Sequence, residues 1–587
     1  MDIRSASVSP YVVHPGLCPE TVQARAYQLQ AVDEAMSGSM LLVLPTAAGK
    51  TAVAWMTIVE RLEKEGGWAL VISPTVALSN QHMENTSSVI SNKEKINPIS
   101  LSGQNPSPKR KSLWGTSKLI FATPQVVRND CNSGILTLRD CSLLVVDEAH
   151  HCTGDHAMAE VVDSYVNQSC KPLILATTAS PGSRKVQIEE VCRRLRVQRI
   201  HLRTSDDPLL SDYLAELDVE EICVEVPAQI RDIAEPLRIW QEGIVDRERR
   251  IGSYVMPGAI SQAGLSNAME RAQAAIRDGN PSGYGSSSQI AIAMRLHHLI
   301  NHLLCQGIAA SRHFLKRMES EHGKSRSSTI FLEDLRIKKL LMQLVEMDEV
   351  HSKVGAVRRL VRERIRRDAS SRVIVFANFR DTVEALEDAL SELNGIRAAQ
   401  FIGQSSRSGS GGLSAKEQIS RLSDFREGKS NVLVATSVGE EGLDIPSADL
   451  VIFYEPVSSE IRTIQRRGRT GRRRAGEVVV LIAEGTRDEG AKESARRREE
   501  FMHKILRRVS RGLNGPRHGS LKNMGSFRVK TQDGIISAYD YITGERERAR
   551  GEMAKEDVTP REERTGSTSS LPNSNFRPSG QTGLDQF

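Results

Sequence analysis

The sequence predicts an α/β protein: two parallel-sheet domains of similar design, a helical domain inserted between them, and a disordered C-terminal tail. Three observations carry that expectation. Short apolar runs without polar alternation recur in the first third of the chain, as "MLLVLP", "WALVISP", "KLIFATP", "SLLVVDE" and "PLILATTAS"; strands buried on both faces have this pattern. The rhythm stops near Arg203, and from Leu209 to about Val350 the chain becomes long and helix-forming, as in "QIAIAMRLHHLINHLLCQGIAASRHFLKRM". From His351 it returns as "RVIVFAN", "RAAQFIG", "NVLVATS", "LVIFYEP" and "EVVVLIAEG", a duplication of architecture and not of sequence.

In order, these changes divide the chain into a first α/β domain over 1–205, a helical insertion over 206–350, a second α/β domain over 351–488, a basic extension over 489–544 and a polar tail over 545–587. The tail, with "TGSTSSLPNSNFRPSGQTG", has too little apolar surface to offset the entropy of ordering. A chain of 587 residues has room for several separate cores. Its net charge of +6 is modest, but lysine and arginine cluster at Arg358 to Arg367, Arg466 to Arg474 and Arg496 to Arg511. Such clusters fit a polyanion better than a membrane. The eight cysteines are scattered with no C-x-x-C pair, so they read as reduced thiols. No apolar run approaches the ~18 residues of a membrane span, and "MDIRSASVSPYVVHPG" lacks the features of a signal peptide. A cytoplasmic protein is expected, nucleoid-associated if prokaryotic.

The chemistry begins at "LLVLPTAAGKT", where an apolar strand enters a tight loop ending Gly49-Lys50-Thr51 and a helix opens as "TAVAWMTIVERLEK". Backbone N–H groups at such a helix start face the β- and γ-phosphates of a nucleotide, Lys50 supplies a point charge, and the Thr51 hydroxyl can hold Mg²⁺. Leu44 stands at the first glycine position of the full phosphate-loop pattern. "SLLVVDE" is a second buried strand, and carboxylates at its C-terminal end emerge beside the phosphate loop in an open α/β sheet. Asp147 then fits a Mg²⁺ role and Glu148 the orienting of an attacking water.

His150, His151, Cys152 and His156 form the other candidate, a zinc site, but no second cluster with ligand spacing follows. His298 and His302 share a helical face without an acidic partner motif, as a core or surface helix would. The second α/β domain has no phosphate loop, yet contains "EIRTIQRRGRTGRRR". Arg469 and Arg472 can close over a γ-phosphate held by the first domain; Arg473 and Arg474 read equally well as a solvated basic face.

In consistent motif order from about Arg25 to Arg511, the chain resembles the superfamily 2 helicases, most closely the Hef and Fanconi anaemia M-type group. "ARAYQLQAV" resembles the adenine-contacting entry with Gln28 as reader, and "PTAAGKT" (Pro45, Thr46, Ala47, Ala48, Gly49, Lys50, Thr51) is similar to motif I. "SPTVALSNQH", "ATPQ", "DEAH", "TAS", "VIVFANFRDT", "ATSVGEEGLDIP" and "QRRGRTGR" resemble motifs Ia, Ib and II to VI. The resemblance implies two RecA-like domains using ATP and Mg²⁺, with Thr75, Thr123, Phe379, Arg380 and Thr436 contacting a nucleic-acid strand. It implies that His150, Thr178 and Ser180 couple that groove to the nucleotide, and that Gln465 joins the γ-phosphate network. The insertion sits where the family carries a thumb-like domain for branched DNA.

Three departures stand out. Ala47 replaces a usual glycine, with activity expected to survive; no nuclease signature follows the helicase motifs, so no cleavage is expected; and the chain ends "QTGLDQF". There Gln581, Leu584 and Phe587 have the spacing of a sliding-clamp peptide, without its second aromatic. The expected function is an ATP-dependent DNA helicase or translocase remodelling forked or branched DNA in repair and replication restart. The alternatives are a double-stranded RNA-dependent ATPase resembling the Dicer and innate-sensor group, from which "GRTGR" separates it, and a clamp-associated nucleic-acid-binding protein with a vestigial ATP site.

Overall fold

The computed structural model describes residues 9–45, 48–182, 184–204, 207–211, 213, 219–320, 323, 325–403, 413–436, 448–456, 477–513 and 521–556. A short strand, β1 (Tyr11–Val13), precedes the strands of the first α/β domain: β2 (Met40–Val43), β3 (Trp68–Ile72), β4 (Ile99–Leu101), β5 (Leu119–Ala122), β6 (Cys141–Asp147), β7 (Ile174–Thr178) and β8 (Arg199–Leu202). β9 (Val219–Val224) follows. The second domain adds β10 (Val373–Ala377), β11 (Ala398–Phe401), β12 (Val432–Thr436), β13 (Leu450–Phe453) and β14 (Glu477–Ala483), and β15 (Arg528–Thr531) and β16 (Gly534–Ser537) close the series.

Each apolar run noted in the sequence is a strand, and every residue of β2, β5 and β7 is buried. The first sheet is parallel with order β4-β5-β3-β6-β7-β2-β8. Its two edge strands, β4 and β8, were not marked by apolar runs, because an edge strand buries less and needs fewer apolar residues. Register fixes the site: Val43 pairs with Thr178 and Asp147 with Thr177, so the phosphate loop and the acidic strand end leave the sheet at one level. Separate apolar cores cover the two faces.

The second sheet is parallel with order β11-β12-β10-β13-β14-β9. Here the expected helical span over 206–350 is corrected. Val219–Val224 is an edge strand paired with β14, its residues only half-buried or exposed and two of them glutamates, which leaves no apolar run to read. The helices of the insertion run from Ala228–Ile251 to Leu335–Glu346 around a core of their own. They are bonded to the second domain: Thr382 Oγ1 donates to Gln306 Oε1 at 2.8 Å, Tyr454 Oη to the Gln306 carbonyl at 2.8 Å, and Arg317 pairs with Asp381 at 2.6 Å.

The expected basic extension is also not a separate unit. The helix Arg487–Arg511 starts against the second domain, where Asp488 pairs with the fully buried Lys353, and ends with Met502, Ile505 and Leu506 in a core of the first domain. Beyond it, β15 pairs with β1, and Phe527, Val529, Tyr541 and Ile542 join the other first-domain core. The helix Ala538–Glu556 runs past the expected start of the tail at 545. Among the described residues, no helix is long and apolar enough to cross a membrane.

Candidate nucleotide site and nucleic-acid groove

The phosphate loop turns where only glycine fits well. Gly49, the N-cap of the helix Lys50–Glu65, has φ 79°, and a Cβ there would lie 2.1 Å from Gln28 Nε2. Gln28 is buried behind the loop and donates to the Ala48 carbonyl at 3.1 Å, which also accepts from Tyr27 Oη at 2.8 Å. In this structure, then, Gln28 braces the loop backbone. Pro45 is half-buried before the loop and Ala48 fully buried within it, while Thr46 and Ala47 lie outside the described residues. Lys50 Nζ donates to the Leu44 carbonyl at 3.2 Å.

Lys50, Thr51, Asp147, Thr177 and His82 line one small pocket. Asp147 Oδ1 accepts from Thr177 Oγ1 at 2.8 Å, and His82 Nε2 lies 2.9 Å from Oδ2. Burial alone raises the pKa of Asp147, but the hydrogen bond and charge of His82, the Thr177 hydroxyl and the Lys50 ammonium outweigh it and hold the carboxyl below its ordinary value. An ionised carboxylate and a hydroxyl are hard oxygen donors, and Thr51 with Asp147 therefore fits Mg²⁺.

Glu148 follows in a left-handed conformation, φ 51° and ψ 53°, which is costly for a residue with a side chain and turns the strand end into the 3₁₀ turn Ala149–His151. From it a chain of polar contacts runs away from the phosphate loop. Glu148 Oε2 is 3.5 Å from His150 Nδ1, which is 3.4 Å from Thr178 Oγ1; that hydroxyl donates to the Ser180 carbonyl and accepts from the Ser180 N–H, both at 3.1 Å. The remaining residues of the acidic stretch have structural work. His156 caps the helix Ala157–Gln168, its Nδ1 accepting from the Met158 N–H at 3.2 Å; Cys152 is buried and its thiol is pushed up to about 12 by burial; His151 stacks on His156. Among the described residues, these side chains form no three-ligand metal cluster.

The residues expected to contact a nucleic-acid strand sit at carboxyl ends of adjacent strands. Thr75 caps the helix Val76–Val89 just beyond β3, its Oγ1 accepting from the Leu78 N–H at 3.2 Å, and Thr123 stands at the N-cap position of the helix Pro124–Asn132 beyond β5, the strand paired with β3, without a side-chain capping bond. In the second domain Phe379 and Arg380 follow β10, and Thr436 ends the neighbouring β12. Arg380 Nη2 donates to the Gly403 carbonyl at 3.0 Å. The Phe379 ring lies 4.7 Å from that of His302 in the insertion, whose imidazole is pushed down to about 4 by burial, so this aromatic is packed on the helical insertion. Gln465, Arg469 and Arg472, and likewise Gln581, Leu584 and Phe587, lie outside the described residues. Sequence reasoning missed His82 and Thr177; that β7 pairs with β6 was the available signal for Thr177.

Known proteins share this arrangement. The "DEAD/DEAH box helicase" family model matches residues 25–188, "Helicase conserved C-terminal domain" matches 352–474, and "Putative ATP-dependent RNA helicase, helical bundle" matches 258–351. The crystal structure of the Pyrococcus furiosus Hef helicase domain superposes with a TM-score of 0.63 at 35% identity, covering 82% of this chain and 100% of that one. A Methanocaldococcus jannaschii protein named "Putative ATP-dependent RNA helicase" is 35% identical over 86% of this chain and 63% of its own length. The ATP-dependent DNA helicase fml1 of Schizosaccharomyces pombe is 29% identical over 80% of this chain and 58% of its own. For the Fanconi anemia group M protein of Gallus gallus the figures are 28%, 84% and 26%. The chain thus spans less than two thirds of the length of these three relatives. With two parallel-sheet domains, a helical bundle between them and the whole of the Hef helicase domain matched, the chain belongs to the superfamily 2 helicases of the Hef and Fanconi anaemia M type.

Proposed function

We propose that the protein is an ATP-dependent DNA helicase or translocase that remodels forked or branched DNA in repair and replication restart. One observation carries the reading: the strand end bearing Asp147 is paired with β3, and β3 with β5, so the nucleotide residues and the groove threonines Thr75 and Thr123 leave the same sheet edge on neighbouring strands. A change at the phosphates is thus felt within a strand or two of the nucleic acid. The names of the fml1 and Fanconi anaemia M relatives support DNA as the track.

In this reading Gly49 and the helix start cradle the phosphates, Lys50 neutralises them, and Glu148 orients the attacking water. Held by Thr51 and Asp147, Mg²⁺ supplies charge neutralisation at the transferred group. Gln465, Arg469 and Arg472 complete the γ-phosphate network from the second domain. His150, Thr178 and Ser180 relay the state of Glu148, while Thr75, Thr123, Phe379, Arg380 and Thr436 grip sugar and phosphate without reading sequence. Gln581, Leu584 and Phe587 form a sliding-clamp peptide, for which clamp pull-down with and without Phe587→Ala is the check.

The test is ATP turnover with forked DNA. Stimulation by the fork, abolished by Lys50→Ala, is expected; turnover that Lys50→Ala leaves intact overturns the ATP-site assignment, and absence of turnover would favour a vestigial site. A second reading, an RNA translocase, is favoured by the name of the Methanocaldococcus relative and that of the helical-bundle family. Stimulation by duplex RNA in place of forked DNA would establish it.

A further inference from the structure

His82 stands on the carboxylate that the metal needs. Its Nε2 is 2.9 Å from Asp147 Oδ2 while Thr177 Oγ1 occupies Oδ1, so both oxygens are held by protein donors. An ionised carboxylate only accepts, so Nε2 carries the proton of this bond. His82 belongs to the helix Val76–Val89, and the N-cap of that helix is Thr75. His82 lies seven positions beyond Thr75 along this continuous helix, a rise of about 10 Å over two turns. The same helix is bonded to the phosphate-loop helix, Trp55 Nε1 donating to Thr86 Oγ1 at 2.9 Å. A rigid element therefore has one end at a groove residue and rests on the Asp147 carboxylate two turns later.

We propose that His82 is a positioning residue joining Asp147 to the groove helix, so that strand engagement at Thr75 and magnesium-nucleotide affinity are coupled through the His82–Asp147 contact. The proposal rests on the reading of Asp147 as a magnesium ligand. A strand that shifts the helix start moves His82 with it and re-aims the Asp147 oxygens. By linkage, the nucleotide must then change strand affinity by the same factor that the strand changes nucleotide affinity.

Equilibrium binding of a β,γ-imido ATP analogue to the full chain tests this, with Mg²⁺ or EDTA and with or without a single-stranded DNA oligonucleotide. In the native protein the oligonucleotide should change affinity in Mg²⁺ by about fivefold or more. His82→Ala should bring that factor close to one while leaving the affinity in EDTA unchanged. His82→Gln, whose amide can donate to Asp147 from a similar reach, should restore part of the coupling and carries the test if the alanine variant does not fold. Loss in both variants also supports the contact and narrows it to the imidazole. Full native coupling in His82→Ala, an equal fall in Mg²⁺ and EDTA, or Mg²⁺-dependent binding without coupling in the native protein would overturn the proposal. Native protein that binds the analogue equally in Mg²⁺ and EDTA would instead remove the metal assignment of Asp147 beneath it.

Discussion

Glu455 shows how much a single side chain can depend on its surroundings. It lies just past the end of β13, buried, with Oε2 accepting from the Asn378 N–H at 3.1 Å. Burial pushes its carboxyl from the ordinary 4.5 up to about 7; Lys353 opposes the rise and Asp488 adds to it. Between those values the folded protein keeps a proton that the unfolded chain has released, so stability falls as pH rises through the window. At 1.36 kcal/mol per unit the total is about 3 kcal/mol. Glu455→Gln removes the effect: denaturation of the second domain should show little difference from native near pH 4.5 and a stabilisation of about 3 kcal/mol at pH 8. Such residues are silent in sequence. Lys50 and Asp147 can be paired from the sequence alone because one opens the helix after a phosphate loop that follows a buried strand and the other ends a buried strand, each in a recognisable context. Glu455 and His82 are single polar residues whose partners lie 77 and 65 positions away.

At the scale of elements, the fit of the C-terminal segment to the first domain is the feature composition concealed. Asp33, fully buried on the helix Ala26–Ser37 that carries Gln28, accepts the Leu521 N–H at 2.9 Å and the Asn523 N–H at 3.0 Å. Ser526 Oγ donates to Glu60, whose carboxyl is lowered to about 2: burial opposes the shift, and the bonds from His14, Lys64 and Ser526 prevail. Asp33→Ala leaves two backbone donors without their acceptor and should cost about 2–4 kcal/mol. Hydrogen exchange should accelerate over 521–531, and Asp33→Asn, able to accept but not charged, should fall between; unchanged exchange would show that the segment docks by its apolar contacts alone. Central strands were legible because a strand buried on both faces must be apolar throughout. β9 and β15 were not, since the first is an edge strand with no fully buried residue and the second pairs with a strand more than 500 residues away, a separation no local pattern encodes.

For the whole molecule, the helix Arg487–Arg511 is a strap between the two domains. Its 25 residues span about 37 Å. One end is fixed by Asp488 on Lys353, whose Nζ also donates to the Tyr454 carbonyl at 2.7 Å; near the other, Met502 Sδ lies 3.1 Å from Ser180 Oγ, at the end of the chain of polar contacts from Glu148. Any change in the separation of the domains must pivot or bend this helix, and it touches Ser180, one of the residues proposed to pass on the nucleotide state. A proline at its centre tests that role, because the ring removes one helical hydrogen bond and kinks the rod at a local cost of about 3 kcal/mol, leaving both anchors in place. In Ala495→Pro, analogue binding should stay within about threefold of native, whereas DNA-stimulated turnover should fall by about tenfold or more, since the catalytic groups proposed on the two domains lose their alignment. Turnover that stays at the native level would mean that the strap only closes the fold and that the domains align through the nucleotide and the strand alone.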